Sequence, residues 1–275
     1  MGGPVSVPVS AEWLALREAA DAAARAEKLV ELVHRRVAAV PRAVIHDLGT
    51  GTGSMGRWLA PRLPGPQHWV LYDHDADLLR HAAAGVAGMA GMPGRVTVET
   101  RQRDITRLTA GDLAGATLVT ASALLDMLTG DEVRRVVAAC AGAGCPALLT
   151  ISVIGRVELT PPDPLDAEIE AAFNTHQRRT VDGRRLLGPD AVDATVAAFG
   201  RYGLGVVTRS SHWRLGPDQA GLAAEWFTGW VDAACEQRPE LTDPVAGYAR
   251  RRLADAAAGR LGVVVEHTDL LAGAE

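Results

Sequence analysis

Four glycines fall within "HDLGTGTGSMG", residues 46–56, directly after the apolar run Ala43, Val44, Ile45. Gly51, Gly53 and Gly56 satisfy the G-x-G-x-x-G spacing of a dinucleotide loop, in which bare backbone lets a pyrophosphate approach closely. Asp47 stands just before these glycines, where its charge would face a doubly anionic pyrophosphate. A carboxylate there becomes favourable when the ligand is cationic. Asp73 follows about 20 residues after the loop, the position from which a carboxylate accepts hydrogen bonds from both ribose hydroxyls, and it suits NAD and a cationic nucleoside equally. Asp104, in "RQRDIT", adds an acceptor where an adenine amino group would lie.

These residues need a scaffold, and the composition allows one. The chain has 275 residues, 48% hydrophobic and 22% charged, enough for one sizeable α/β domain with elaborations. The net charge of −5 argues against a broad electrostatic grip on nucleic acid. Arg178–Arg179, Arg184–Arg185 and the arginines at 250–252 are the local basic clusters, read as solvated faces. Cys140, Cys145 and Cys235 have neither disulfide-framework nor zinc spacing, and no helical histidine pair appears, so no metal site is expected. No apolar run approaches the roughly 18 residues of a membrane span. "MGGPVSVPVSAEW" lacks a basic start and an apolar signal core, so the expected location is cytoplasmic.

The apolar patterning alternates strand and helix. Residues 11–39 read as one or two helices with Ser10 as N-cap and Pro41 closing the segment. Strands are expected at 43–48, 69–73, 96–100, 117–121 and 147–153. Helices lie between them at 54–63, 75–86 (ended by a glycine-rich turn) and 131–141. Such alternation implies a parallel sheet covered on both faces. The segment 156–188 holds three prolines, a short helix and an arginine-rich loop, too long for a simple connection. Gly188-Pro189-Asp190 then starts a helix to Phe199, and strands follow at 205–208 and 262–266. Helical patterns at 217–235 and 244–258 separate those two strands. The expected organisation is an N-terminal helical segment (1–42), a cofactor-binding core (43–155) and a C-terminal part (156–275) carrying insertions at 156–188 and 214–259.

In order and spacing, "VIHDLGTGTGSMGRWLA", "HWVLYDHDADLLRHA" and "VTVETRQRDI" resemble motifs I, II and III of the class I S-adenosylmethionine-dependent methyltransferases, over residues 43–153. The resemblance implies a Rossmann-like α/β fold with a seven-stranded, mostly parallel sheet whose last strand is antiparallel, here with N-terminal helices and helical insertions. It implies S-adenosylmethionine as cofactor and S-adenosylhomocysteine as product. Gly49, Thr50, Gly51 and Gly53 would give close backbone approach to the methionine part, with Asp47 near its amino group. Asp73 would hold the ribose and His74 pack beside the adenine. Asp104 would accept the adenine amino hydrogen, and the Ile105 backbone would meet the ring. Ala121 and Ser122 would lie along the methionine chain, and Leu125 and Asp126 would face the substrate. Arg17 is a candidate partner for the cofactor carboxylate.

Methyl transfer from a sulfonium demands alignment more than a strong catalytic group, and a base helps only where the nucleophile carries a proton. Asp126 and His176 are the candidate bases, with Tyr72 considered beside them. "TASALLDML" lacks an Asn-Pro-Pro-Tyr type motif, and no nucleic-acid module or paired glutamates are present, which leaves a small-molecule methyl acceptor as the leading expectation. Phe173, Trp213, Trp226, Phe227 and Trp230 fall in or beside the insertions that would build its pocket. An rRNA or tRNA methyltransferase using the arginines of "HQRRTVDGRR" as a phosphate rim is one alternative. An NAD-dependent oxidoreductase is another. The oligomeric state is left open.

Overall fold

The computed structural model describes residues 10–88 and 95–273. Residues 1–9, read above for a leader, and most of the glycine-rich turn after the helix at 75–86 lie outside the described residues. Two helices, α1 (Ala11–Ala24) and α2 (Glu27–Ala38), open the fold. Ser10 caps α1 by accepting the Trp13 N–H at 3.1 Å. Strands and helices then alternate: β1 (Ala43–Leu48), α3 (Ser54–Leu59), β2 (Gln67–Asp73), α4 (Ala76–Ala87), β3 (Val96–Gln102), β4 (Leu118–Ser122), α5 (Gly130–Ala143) and β5 (Ala147–Thr160). The C-terminal half contains α6 (Asp166–Gln177), β6 (Thr180–Val181), β7 (Arg184–Arg185), α7 (Ala191–Gly200), β8 (Val206–Ser210) and β9 (Trp213–Leu215). It closes with α8 (Ala220–Gln237), α9 (Thr242–Ala257) and β10 (Gly262–Ala272).

The main sheet has the order β3-β2-β1-β4-β5-β10-β8, with β9 pairing the far end of β10. The first five strands are mutually parallel. The last strand, β10, is antiparallel to both β5 and β8 and lies between them. Neighbouring residues on one strand feed different cores: Leu118, Leu148 and Leu271 join one cluster, while Val119, Leu149 and Leu270 join the other. That is the period-2 alternation of a sheet buried on both faces. A third cluster, around Trp213, Phe227, Trp230 and Tyr248, lies where the C-terminal helices pack on the far ends of the sheet.

Several boundaries differ from the sequence reading. The fifth strand continues past residue 153 to Thr160, because "GRVELT" keeps an extended register with β10 (Val157 opposite Val265, Thr160 opposite Gly262). The seventh strand likewise continues past residue 266 to Ala272. The strand expected at 205–208 is β8, which runs on to Ser210, and a further short strand, β9, follows it, with the Ser211 N–H donating to the His267 carbonyl between them. The arginine-rich loop contains the hairpin β6–β7, turned at Asp182 (φ +51°) and Gly183 (φ +76°), a pair suited to a two-residue turn. Among the described residues no helix is long and apolar enough to cross a membrane.

Candidate active site

The carboxyl ends of β1, β2, β3 and β4 open on one cavity of about 1390 Å³, partly covered by α1. Single small-molecule sites run to about 300–1,000 Å³, so this volume suits two ligands side by side. Asp47, next to last in β1, has only 1% exposure, its carboxylate accepting from the Thr50 and Thr120 hydroxyls, each at 2.6 Å. The charge therefore ties the glycine turn to β4. Loss of solvent pushes the Asp47 carboxyl up to about 6, against the two hydroxyl donors and Arg25, which favour the ionised form.

Gly49 (φ +64°) and Gly51 (φ +54°) both line the cavity in the left-handed region. A Cβ on Gly51 would stand 3.0 Å from Leu14 Cδ1, so the bare turn also lets α1 lie over it. The Gly51 N–H donates to Asp73 Oδ2 at 2.9 Å, and Asp73 Oδ1 accepts the Asp75 N–H at 3.0 Å, with His74 Nδ1 at 3.3 Å. Asp104 caps the turn Ile105–Arg107, accepting the Thr106 N–H at 2.9 Å. Thr50, His74, Asp104 and Ile105 all line the cavity, and Ser122 borders it at the end of β4.

Gly53, expected to approach a ligand, does not line the cavity and packs against α4. Its φ is +87°, and a Cβ would stand 3.0 Å from the Ala82 Cα of α4. Ala121 is buried within β4 and does not line the cavity. His176 is also set apart: its Nε2 meets Glu236 Oε2 of α8 at 3.2 Å, outside the cavity lining. On α6 the face carrying Phe173, Asn174 and Gln177 turns to the cavity, which points His176 toward α8. Tyr72 is fully buried, its hydroxyl engaged by Arg101 and by His46 Nδ1 at 3.1 Å. Asp126 does line the cavity, and burial holds its carboxyl above the ordinary carboxylate range.

Three residues that sequence reasoning missed shape this region. Arg25, in the break between α1 and α2, is 3% exposed and donates from Nη2 to Ser54 Oγ at 3.1 Å and Ser122 Oγ at 3.0 Å. Desolvation lowers its pKa, while Asp21, Asp269 and Asp47 support its charge. Asp269 on β10 accepts the Ala26 N–H at 2.8 Å and the Ile151 N–H at 2.7 Å. It thereby locks the start of α2 to the kink at Ile151 (φ +56°) in β5. His267, also on β10, lines the cavity beside Trp213, and burial with the Arg17 charge pushes its imidazole down to about 3. The available signal was the polar run Glu266-His267-Thr268-Asp269 between the apolar ends of the strand. Arg17 lines the cavity with Nε and Nη2 on Asp21 at 3.0 and 3.1 Å, and its guanidinium stands 4.8 Å from the Trp213 ring centroid.

No family model matches the chain, and no curated protein matches it. Solved structures do. The cyclopropane synthase MmaA2 from Mycobacterium tuberculosis is similar over 96% of this chain and 94% of its own, at 13% identity and a TM-score of 0.51. The YcgJ protein from Bacillus subtilis covers 90% of this chain and 97% of its own, at 13% identity and a TM-score of 0.49. A magnesium protoporphyrin IX methyltransferase from Synechocystis, solved with SAH, covers 67% and 75%, at 14% identity and a TM-score of 0.43. With its strand order and antiparallel β10, the chain has the Rossmann-like fold of the class I methyltransferases.

Proposed function

We propose that the chain is an S-adenosylmethionine-dependent methyltransferase acting on a small-molecule acceptor. The observation that carries this reading is the convergence of Asp47, Asp73 and Asp104, from three successive strand ends, on one cavity beside the left-handed glycine turn. The residues fit the cofactor: carboxylates for an ammonium, for ribose hydroxyls and for an adenine amine. Bound there, S-adenosylmethionine supplies an electrophilic methyl group on a sulfonium.

The chain's own residues bind, orient and desolvate. Gly49, Thr50 and Gly51 leave the backbone open to the methionine part, near Asp47 and Ser122. Asp73 takes the ribose hydroxyls, and Asp104, Ile105 and His74 border the adenine. Trp13 and Leu14 of α1 cover the site from water. Asp126, its carboxyl held above the ordinary carboxylate range by burial, takes the acceptor's proton where the acceptor carries one. Two of the four arginines that an RNA acceptor would need are paired with carboxylates within the chain. Arg178 is bidentate on Asp190 at 2.7 and 2.6 Å, and Arg184 on Glu132 at 2.9 and 2.8 Å. These pairs support a small acceptor over a polyanionic one.

Calorimetric titration tests the reading. One equivalent of S-adenosylmethionine or S-adenosylhomocysteine is expected to bind, and NAD is not. Binding of NAD with no binding of either S-adenosyl compound would overturn it.

A further inference from the structure

The half of the cavity away from Asp73 and Asp104 has a different lining. Trp13 of α1, Phe173 of α6, Trp213 of β9 and Trp226 of α8 bring four aromatic rings to it from four separate elements. Val153 and Val157 of β5 and Val265 of β10 form its floor. Such walls favour flat rings, which gain both buried area and stacking geometry.

Among the described residues, the buried side-chain polar atoms of this lining that lack a partner are acceptors. The Asn174 side chain donates from Nδ2 to the Gly155 carbonyl at 2.7 Å, which fixes the amide so that Oδ1 is its remaining polar atom. Oδ1 is buried and has no partner among the described residues, and the same holds for Gln177 Oε1 and for Nδ1 of His267. All three residues line the cavity. The His267 side chain is neutral over the physiological range, so one of its ring nitrogens is an acceptor. Buried acceptors without donors cost about 1–3 kcal/mol each, a cost that a ligand bringing N–H or O–H groups removes.

We propose that this half of the cavity binds a planar aromatic acceptor carrying O–H or N–H donors, oriented by Asn174, Gln177 and His267 between the aromatic walls. The proposal rests on the cofactor reading above. Gly155 is part of the device: its φ is +78°, and a Cβ would stand 2.9 Å from Asn174 Oδ1, so glycine keeps room for the amide beside β5. A site arranged in this way discriminates strongly against an analogue that lacks the donor, because its acceptors then stay unpaired in a dry pocket.

The test uses 2-naphthol and 2-methoxynaphthalene, which share a ring system and differ in the donor. Protein is first saturated with S-adenosylhomocysteine in the calorimeter, then titrated with each probe. The expected result is at least tenfold tighter binding of 2-naphthol. The ratio should fall below threefold in Asn174→Leu and in His267→Phe, each checked for unchanged S-adenosylhomocysteine affinity and cooperative melting. A ratio near one in the unsubstituted protein, no binding of 2-naphthol, or a tenfold preference persisting in either folded variant would overturn the proposal. Failure of S-adenosylhomocysteine itself to bind is a separate readout; it would overturn the cofactor reading and this inference with it.

Discussion

Between pH 5 and pH 7 the affinity of this chain for S-adenosylmethionine should rise about tenfold, and Asp47 is the reason. Its carboxyl is pushed up to about 6 by burial, so it is mostly protonated at pH 5 and mostly ionised at pH 7. The ligand's amino group stays protonated throughout this window, below the usual range of about 7.7–8.0 for such groups, and it prefers the ionised partner. The sign follows from linkage: an acid whose folded pKa is raised above its unfolded value of 3.8 makes the unliganded fold lose stability as pH rises toward 6. The loss amounts to about 3 kcal/mol, and a cationic ligand recovers part of it. If binding returns the carboxyl to its ordinary range, the protonated fraction that must ionise falls from about 0.9 to about 0.1 across the window, which gives the tenfold change. The groups acting on Asp47 are Thr50 of the turn, Thr120 of β4, Arg25 between α1 and α2, and Asp73 of β2. The assay is calorimetry at pH 5, 6 and 7 in buffers of different ionisation enthalpy, which also counts the proton released near pH 5. Asp47→Asn should bind more weakly at pH 7 and lose the slope. A flat or falling affinity in the native sequence, or the same slope in Asp47→Asn, would refute the reasoning.

Other perturbations separate structural from ligand-binding roles. Arg25→Ala leaves Asp47 and Asp269 without their shared buried cation, and a loss of about 3–5 kcal/mol is expected, read as a melting temperature lower by roughly 10 °C. Gly53→Ala and Gly65→Ala both place a side chain at positive φ, for about 1–2 kcal/mol, but only Gly53 meets backbone, at 3.0 Å. Denaturant melts should therefore show Gly53→Ala destabilised by about 1–3 kcal/mol more than Gly65→Ala, the cost of overpacking between α3 and α4. His176→Ala should leave S-adenosylmethionine affinity and turnover unchanged and cost about 1 kcal/mol or less in a melt, since its partner Glu236 is well exposed. A tenfold loss of turnover would return His176 to the reacting groups.

Local chemistry made much of this protein legible from its sequence. The strand at Ala43–Leu48, the glycine turn and the acids at the next two strand ends all follow from short-range rules: apolar runs, positive-φ glycines, and carboxylates where strands stop. The fold class followed from strand and helix alternation together with those motifs. Contacts distant along the chain decided the rest. Asp269 joins Ile151 across 118 positions and Ala26 across 243, so nothing local to "HTDLL" announces that it locks β5 to α2. Arg25 reads as one more charge at the end of an alanine-rich helix until the fold closes Ser54 and Ser122 around it. His176 and Asn174 are two residues apart in sequence, yet helical rotation sends one to Glu236 and the other to the cavity. A sequence records which groups are available and what they do to their immediate neighbours. Burial, which sets whether a carboxylate is ionised or an amide oxygen is left without a donor, exists only once distant segments have packed.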